Sequence, residues 1–316
     1  MINPLPYISI GDYSYKGVVD VSCELSSETL TNTLTAVFPR KADWVGKSIK
    51  DLIKRGQKIN VQLGYGDELF PRFEGYIKVV KADIPFTVQA EDTAFLLKKG
   101  SIKKDYDSVD LKTLLTDVIP KGITFEAKDI QLGKLRINNA TPAEILANLK
   151  EKYGIYSYFK GTVLRSGIQY WGDGENHIFG FQQNILSGHN LEYYEEDEIS
   201  YRVKAISIID TDTEKNKRIE VENGDKDGEL RTFHFYNIDK TELERRAKQE
   251  LEKLKYTGYR GSFATFGVEA VNHGDTVTLK DKLYTEREGT YIVKSVKINF
   301  GMGGYRQTIE IDRLWS

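Results

Sequence analysis

The sequence predicts an α+β, mainly β protein: two similar antiparallel β-barrels flanking a small α+β insert domain. Three observations carry this. Alternating apolar–polar segments broken by turns fill the first and last thirds of the chain. Helical periodicity is concentrated in the middle. A glycine-marked hairpin pattern occurs in both outer thirds. The corresponding ranges are a first barrel over residues 1–99, an insert over 100–188, and a second barrel with one packed helix over 189–316.

In the first range, period-two segments run through Gly17–Leu25, Leu34–Phe38, Ile59–Leu63 and Phe73–Val79, with turns such as Gly64-Tyr65-Gly66-Asp67 between them. Residues alternate between the two faces of a strand, so Val19, Val21, Cys23 and Leu25 share one face. A short helix is predicted over Ser48–Arg55, where Ile49, Leu52 and Ile53 line up and Gly56 follows as the helix stop.

In the insert, Leu111, Leu114, Leu115 and Val118 form a helical stripe that Pro120 and Gly122 end. Thr141-Pro142-Ala143-Glu144 is an N-terminal capping box with proline at the first helical position. Ile145, Leu146, Leu149 and Tyr153 then face the core, and Gly154 closes the helix. Strands over Ile155–Phe159 and Thr162–Leu164 follow.

In the last range, strands are predicted over Val203–Ile209, Arg218–Val221, Arg231–Phe235, Thr276–Leu279, Tyr291–Ile298 and Gln307–Ile311. A helix from Thr241 to about Tyr256 carries a narrow stripe of Leu243, Ala247, Leu251 and Leu254. Thr241 and Glu244 read as its capping box, and its charged back predicts a helix lying against a barrel.

The repeat aligns Gly56-Gln57-Lys58-Ile59-Asn60-Val61 with Gly274-Asp275-Thr276-Val277-Thr278-Leu279. After a polar loop, Glu74-Gly75-Tyr76-Ile77 matches Glu288-Gly289-Thr290-Tyr291-Ile292. A duplicated hairpin with a variable loop explains both.

Composition narrows the function. A formal net charge of −2 supplies no global positive field for nucleic acid or anionic lipid. The 19 Tyr, 14 Phe and 3 Trp suit half-buried strands. The single cysteine, Cys23, forms no intrachain disulfide and reads as a small buried apolar residue. Residues 1–17 lack the pattern of a secretory signal, and no apolar run nears a bilayer span, so folding in a cytoplasm is expected.

These residues resemble the late control D and baseplate hub family of contractile-tailed phages, and the hub portion of type VI secretion spike proteins. The resemblance lies in Val61-Gln62-Leu63-Gly64-Tyr65, Leu69-Phe70, Phe73-Glu74-Gly75-Tyr76-Ile77 and Ala90-Glu91-Asp92. It continues from Gly258 through Gly274-Asp275-Thr276-Val277, Gly289–Val293 and Gly304-Tyr305. It implies two barrels per subunit and a homotrimer whose six barrels match a hexameric tail tube to a trimeric spike. It further implies tube, spike, other baseplate and tape-measure proteins as partners, and a place in a virion tail baseplate or phage-tail-like particle assembled in the bacterial cytoplasm. No sequence-specific nucleic acid and no membrane anchor are expected. Because the sequence ends at Ser316 without a needle or lysozyme-like module, any spike is expected to be a separate chain.

No constellation in the sequence fits catalytic chemistry, and no catalytic, cofactor-binding or metal-ligating residue is assigned; the chain is expected not to be an enzyme. His177, His189, His234 and His273 are scattered. Val45-Gly46-Lys47-Ser48 lacks the first glycine of a phosphate loop, which would stand at Lys41. Asn223–Gly228 begins like a calcium loop but has His234 where the bidentate acid belongs, and reads as a hairpin tip. The acids of Glu192–Glu198 read as a solvated edge rather than a glycosidase pair. Tyr156, Tyr158, Phe159, Tyr170 and Trp171 read as packing residues. A carbohydrate-binding host-recognition module and a cell-wall hydrolase are the competing readings.

Overall fold

A computed structural model describes residues 4–39, 52–81, 85–209, 217–236 and 238–315. The chain begins with β1 (Pro4–Ile10), β2 (Tyr13–Tyr15), β3 (Asp20–Ser26), β4 (Thr33–Phe38), β5 (Lys58–Tyr65), β6 (Glu68–Lys81) and β7 (Phe86–Glu91). Their neighbour order is β3-β4-β7-β6-β5-β1-β2, antiparallel throughout. Alternation places Val21, Cys23 and Leu25 in the core, while Val19 precedes β3 and stays exposed. The start of the expected helix over Ser48–Arg55, like Val45–Ser48, lies outside the described residues. Leu52 and Ile53 are buried, and Gly56 has the positive φ of a chain reversal.

The insert comprises α1 (Ala94–Leu97), β8 (Ile102–Asp110), α2 (Leu111–Val118), β9 (Phe125–Ala127), β10 (Gln131–Ala140), α3 (Pro142–Tyr153), β11 (Tyr156–Lys160) and β12 (Val163–Gly167). The capping box of α3 is formed in both directions: Thr141 Oγ1 accepts the Glu144 N–H, and Glu144 accepts the Thr141 N–H at 2.7 Å. The stripes of α2 and α3 meet in a separate core around Leu114, Leu115, Ile145 and Leu149.

The remainder comprises β13 (Asn176–Gly180), β14 (Ile185–Tyr194), β15 (Tyr201–Ile209), β16 (Lys217–Gly224), β17 (Glu229–Tyr236), α4 (Lys240–Leu254), β18 (Gly258–Phe266), β19 (Thr276–Lys280), β20 (Gly289–Gly301) and β21 (Gly304–Leu314). Three expectations change here. The cap of α4 is Asp239, whose side chain accepts the Glu242 N–H, because Asp239 is extended while Thr241 already lies inside the helix. The stripe of α4 covers the small β16-β15-β17 sheet, packing Leu243 and Ala247 with Val203 and Ala205, and not the large sheet. Asn223–Gly228 is likewise no hairpin tip, since β16 and β17 flank β15 on opposite sides.

Six strands from Asn176 onward, the first of them inside the range expected for the insert, follow the order β14-β18-β21-β20-β19-β13. This is the order of β3-β4-β7-β6-β5-β1, strand for strand. Every matching pair is antiparallel in both sets except the last, where β13 runs parallel to β19. The glycine starts also match. Gly56 (φ +88°) donates to the Ile77 carbonyl at 2.8 Å, and the Ile77 N–H returns to Gln57 at 2.9 Å. Gly274 (φ +81°) donates to Val293 at 2.8 Å, and the Val293 N–H returns to Asp275 at 2.8 Å. Ile77 therefore corresponds to Val293, one residue beyond the match of the two Tyr-Ile pairs that the sequence invites.

The two sets are fused into one 13-stranded sheet. The first residues of β20 pair with β19; further on, the same edge pairs with β3, from Ser295–Ser26 to Phe300–Val21. A single hydrophobic core crosses this seam, containing Cys23 and Leu34 on one side and Ile298 and Phe300 on the other. Among the described residues no ladder joins β1 to β3, or β13 to β14, so the paths are open sheets rather than closed barrels.

Candidate functional site

Several of the polar groups that the fold buries lie where its parts meet. The β5–β6 hairpin extends to the last third. The Tyr65 hydroxyl donates to the Tyr305 carbonyl at 2.7 Å and accepts the Tyr305 N–H at 3.2 Å. Arg72, on β6, is 3% exposed. Its Nη2 donates to the Val271 carbonyl at 2.8 Å and to Gln307 Oε1 at 3.3 Å. Burial lowers the pKa of this guanidinium, and its Nε and Nη1 have no hydrogen-bond partner among the described residues. A charge this deep is costly unless held by hydrogen bonds. Arg72 thus fixes the hairpin to both the 266–275 loop and β21.

A second junction converges on the Phe159 carbonyl at the end of β11. Asn32 Nδ2 donates to it at 3.4 Å, and His273 Nε2 lies 3.1 Å away. Asn32 and Asp92 are paired through N–H bonds of 3.0 and 3.1 Å. One carbonyl of the insert is therefore gripped from both outer regions. Burial pushes the Asp92 carboxyl up to about 7, against the pull of two N–H donors, from Asn32 and Ala94. Burial pushes the His273 imidazole down to about 4, so it is neutral at pH 7 and Nε2 is the donor. Beside it, buried Asp275 accepts the N–H groups of Asn272 at 2.8 Å and Glu175 at 3.2 Å, and faces His177 Nε2 at 3.3 Å.

The other residues singled out in the sequence are dispersed. His234 belongs to β17 and His189 to β14. Among the described residues no group of three or more His, Cys, Asp or Glu could hold a metal ion. Glu195–Glu198 are exposed at the end of β14 and the turn beyond it. Tyr158, Phe159 and Tyr170 are buried, and Tyr158 packs edge-on to His273 at 5.2 Å. Trp171 is covered by Lys128 at 4.2 Å and Arg165 at 5.0 Å. The Cys23 thiol is buried, which pushes it up to about 12. The sequence reading missed Arg72, Asn32 and His273 as junction residues. Arg72 had a cue, being a charged residue within the apolar alternation of β6.

A scan against family models and a search of curated proteins find no match. Solved structures do match. A 43 kDa tail protein of prophage MuSo2 from Shewanella oneidensis is 16% identical, covering 98% of both chains with a TM-score of 0.63. A tail protein from Neisseria meningitidis is 11% identical, covering 98% of this chain and 96% of its own, with a TM-score of 0.66. An E. coli component of the type VI secretion system, structurally similar to T4 bacteriophage tail proteins, is 11% identical with a TM-score of 0.61, covering 98% of this chain and 77% of its own. This chain therefore has the fold of phage tail proteins and of a type VI secretion component.

Proposed function

We propose that the chain is a structural, non-catalytic subunit of a phage tail or phage-tail-like injection particle. In this reading it is the baseplate hub that joins a hexameric tail tube to a trimeric central spike. The observation that carries it is the strand order shared by residues 4–91 and 176–314. A chain with two equivalent β-sets, arranged about a threefold axis, presents six similar surfaces to one neighbour and three identical ones to another. Each set would act as one barrel wall. The seam and the Arg72 and Phe159 junctions support the reading, because a symmetry adaptor must hold its two sets at a fixed angle. Partners are then a tube protein, a central spike protein and other baseplate proteins, and the location is the assembled particle. Among the described residues no helix is long and apolar enough to cross a membrane.

The test is reconstitution with the tube and spike proteins of the same particle, followed by electron cryomicroscopy. Three copies between tube and spike, with both sets of each copy against the tube, is the expected result. Copies located elsewhere in the particle would overturn it. Loss of turbidity of purified cell walls would instead favour a hydrolase, and specific signals on a glycan array a host-binding module.

A further inference from the structure

The insert contains a cleft of about 480 Å³ between β10 and α3. Its apolar floor includes Ile137, Ile145 and Leu149, and three exposed cations, Lys134, Arg136 and Lys152, line it. No acidic residue is among the lining. The only ion pair there among the described residues is that of Lys134 with Asp107, at 4.0 Å between exposed side chains. Such a contact is worth little. The lining therefore combines three cations with apolar surface, although Asp105 stands opposite Arg136 in the β8–β10 ladder.

Another part of the same chain has the opposite character. Beyond β14, which among the described residues pairs only with β18 and so borders the large sheet, comes Glu195-Glu196-Asp197-Glu198. All four are exposed, and among the described residues none is in an ion pair. The nearest cation in their shallow surface recess, Lys255, is taken by Asp225 at 2.7 Å. The flanking Tyr193 and Ile199 pack against this chain's own cores, which leaves the four acids as the projecting groups.

We propose that the β10–α3 cleft of one copy receives the residue 193–199 segment of a neighbouring copy. The contact is heterologous, since cleft and segment are different surfaces of one chain, and heterologous contacts close into rings when the rotation allows. It rests on the hub reading, for which it names the contact between subunits. Opposed charge at the rim steers encounter and makes the contact salt-sensitive, while the floor excludes water.

The test is analytical ultracentrifugation of the full chain, alone and with tube and spike proteins. Lys134→Glu/Arg136→Glu/Lys152→Glu is expected to weaken self-association at least tenfold. Glu195→Lys/Glu196→Lys/Asp197→Lys is expected to do the same, and both sets in one chain to restore it. All three variants should keep the wild-type circular dichroism. Rings that tolerate either reversal overturn this contact and leave the hub reading standing, as does weakening that the combination fails to restore. A chain that remains monomeric in every mixture overturns both.

Discussion

Lys78 and Lys294 occupy the same bulge in two copies of one ladder. The register slips by one residue between Ile77 and Val79 against β7, and again between Val293 and Ser295 against β21. Each lysine reaches a carboxylate on the adjoining strand, Lys78 to Glu91 at 2.6 Å and Lys294 to Glu310 at 3.0 Å. Alternation alone does not demand a bulge at that place. Its recurrence, together with the glycine starts and strand order, marks a single β-unit built twice.

The glycine starts should respond alike. A Cβ at Gly56 or Gly274 meets nothing within 4 Å, so only the positive φ opposes alanine. Gly56→Ala and Gly274→Ala should each cost about 1–2 kcal/mol in urea unfolding. Gly75→Ala should cost more, because its Cβ would stand 2.2 Å from the Glu91 carbonyl oxygen.

Arg72→Ala should destabilise the chain by about 2–5 kcal/mol, through a cavity and two acceptors left without a donor. Arg72→Met refills the space and discards a buried charge, so it should recover much of that loss. A methionine variant as unstable as the alanine one would show that the hydrogen bonds, and not the packing, hold the hairpin.

The Phe159 junction contains two titrations of opposite sign. His273 binds its proton less readily folded than unfolded, so its contribution is complete above about pH 6.5 and fades as pH falls toward 4. Asp92 binds its proton more readily folded, so its contribution is complete below about pH 4 and fades as pH rises through 7. Stability measured from pH 4 to 6.5 should therefore rise with pH in Asp92→Asn and fall with pH in His273→Gln. The wild type should be flatter than either.

The Cys23 thiol should be inert to iodoacetamide in the native protein and alkylated at once in guanidinium. Its side chain is fully buried, and the thiolate is scarce at pH 8 with a pKa of about 12. Native-state labelling at a rate comparable to a free thiol would mean that β3 opens locally.

Local signals were legible in the sequence where the cause is local. The Thr141 capping box needs only four residues, and the hairpin repeat only the spacing of glycine and apolar positions. The Asp239 cap was missed because Thr241 offers the same chemistry two residues later, and only the backbone angles choose between them. The position of α4 was also beyond reach, since a stripe of leucines does not state which sheet it covers. The Arg72 and His273 contacts span 199 and 114 residues, so no window of sequence contains both partners. The cationic cleft escaped for a different reason: Lys134 and Arg136 come from a strand and Lys152 from the following helix, and their spacing does not state which faces of the two elements meet.

The ladder between β3 and β20 also limits how the chain can be divided. Separating the β-units there would strip both strands of their neighbour and bare two rows of backbone donors and acceptors, ready templates for foreign strands. Half-molecules cut at this line should therefore aggregate rather than fold.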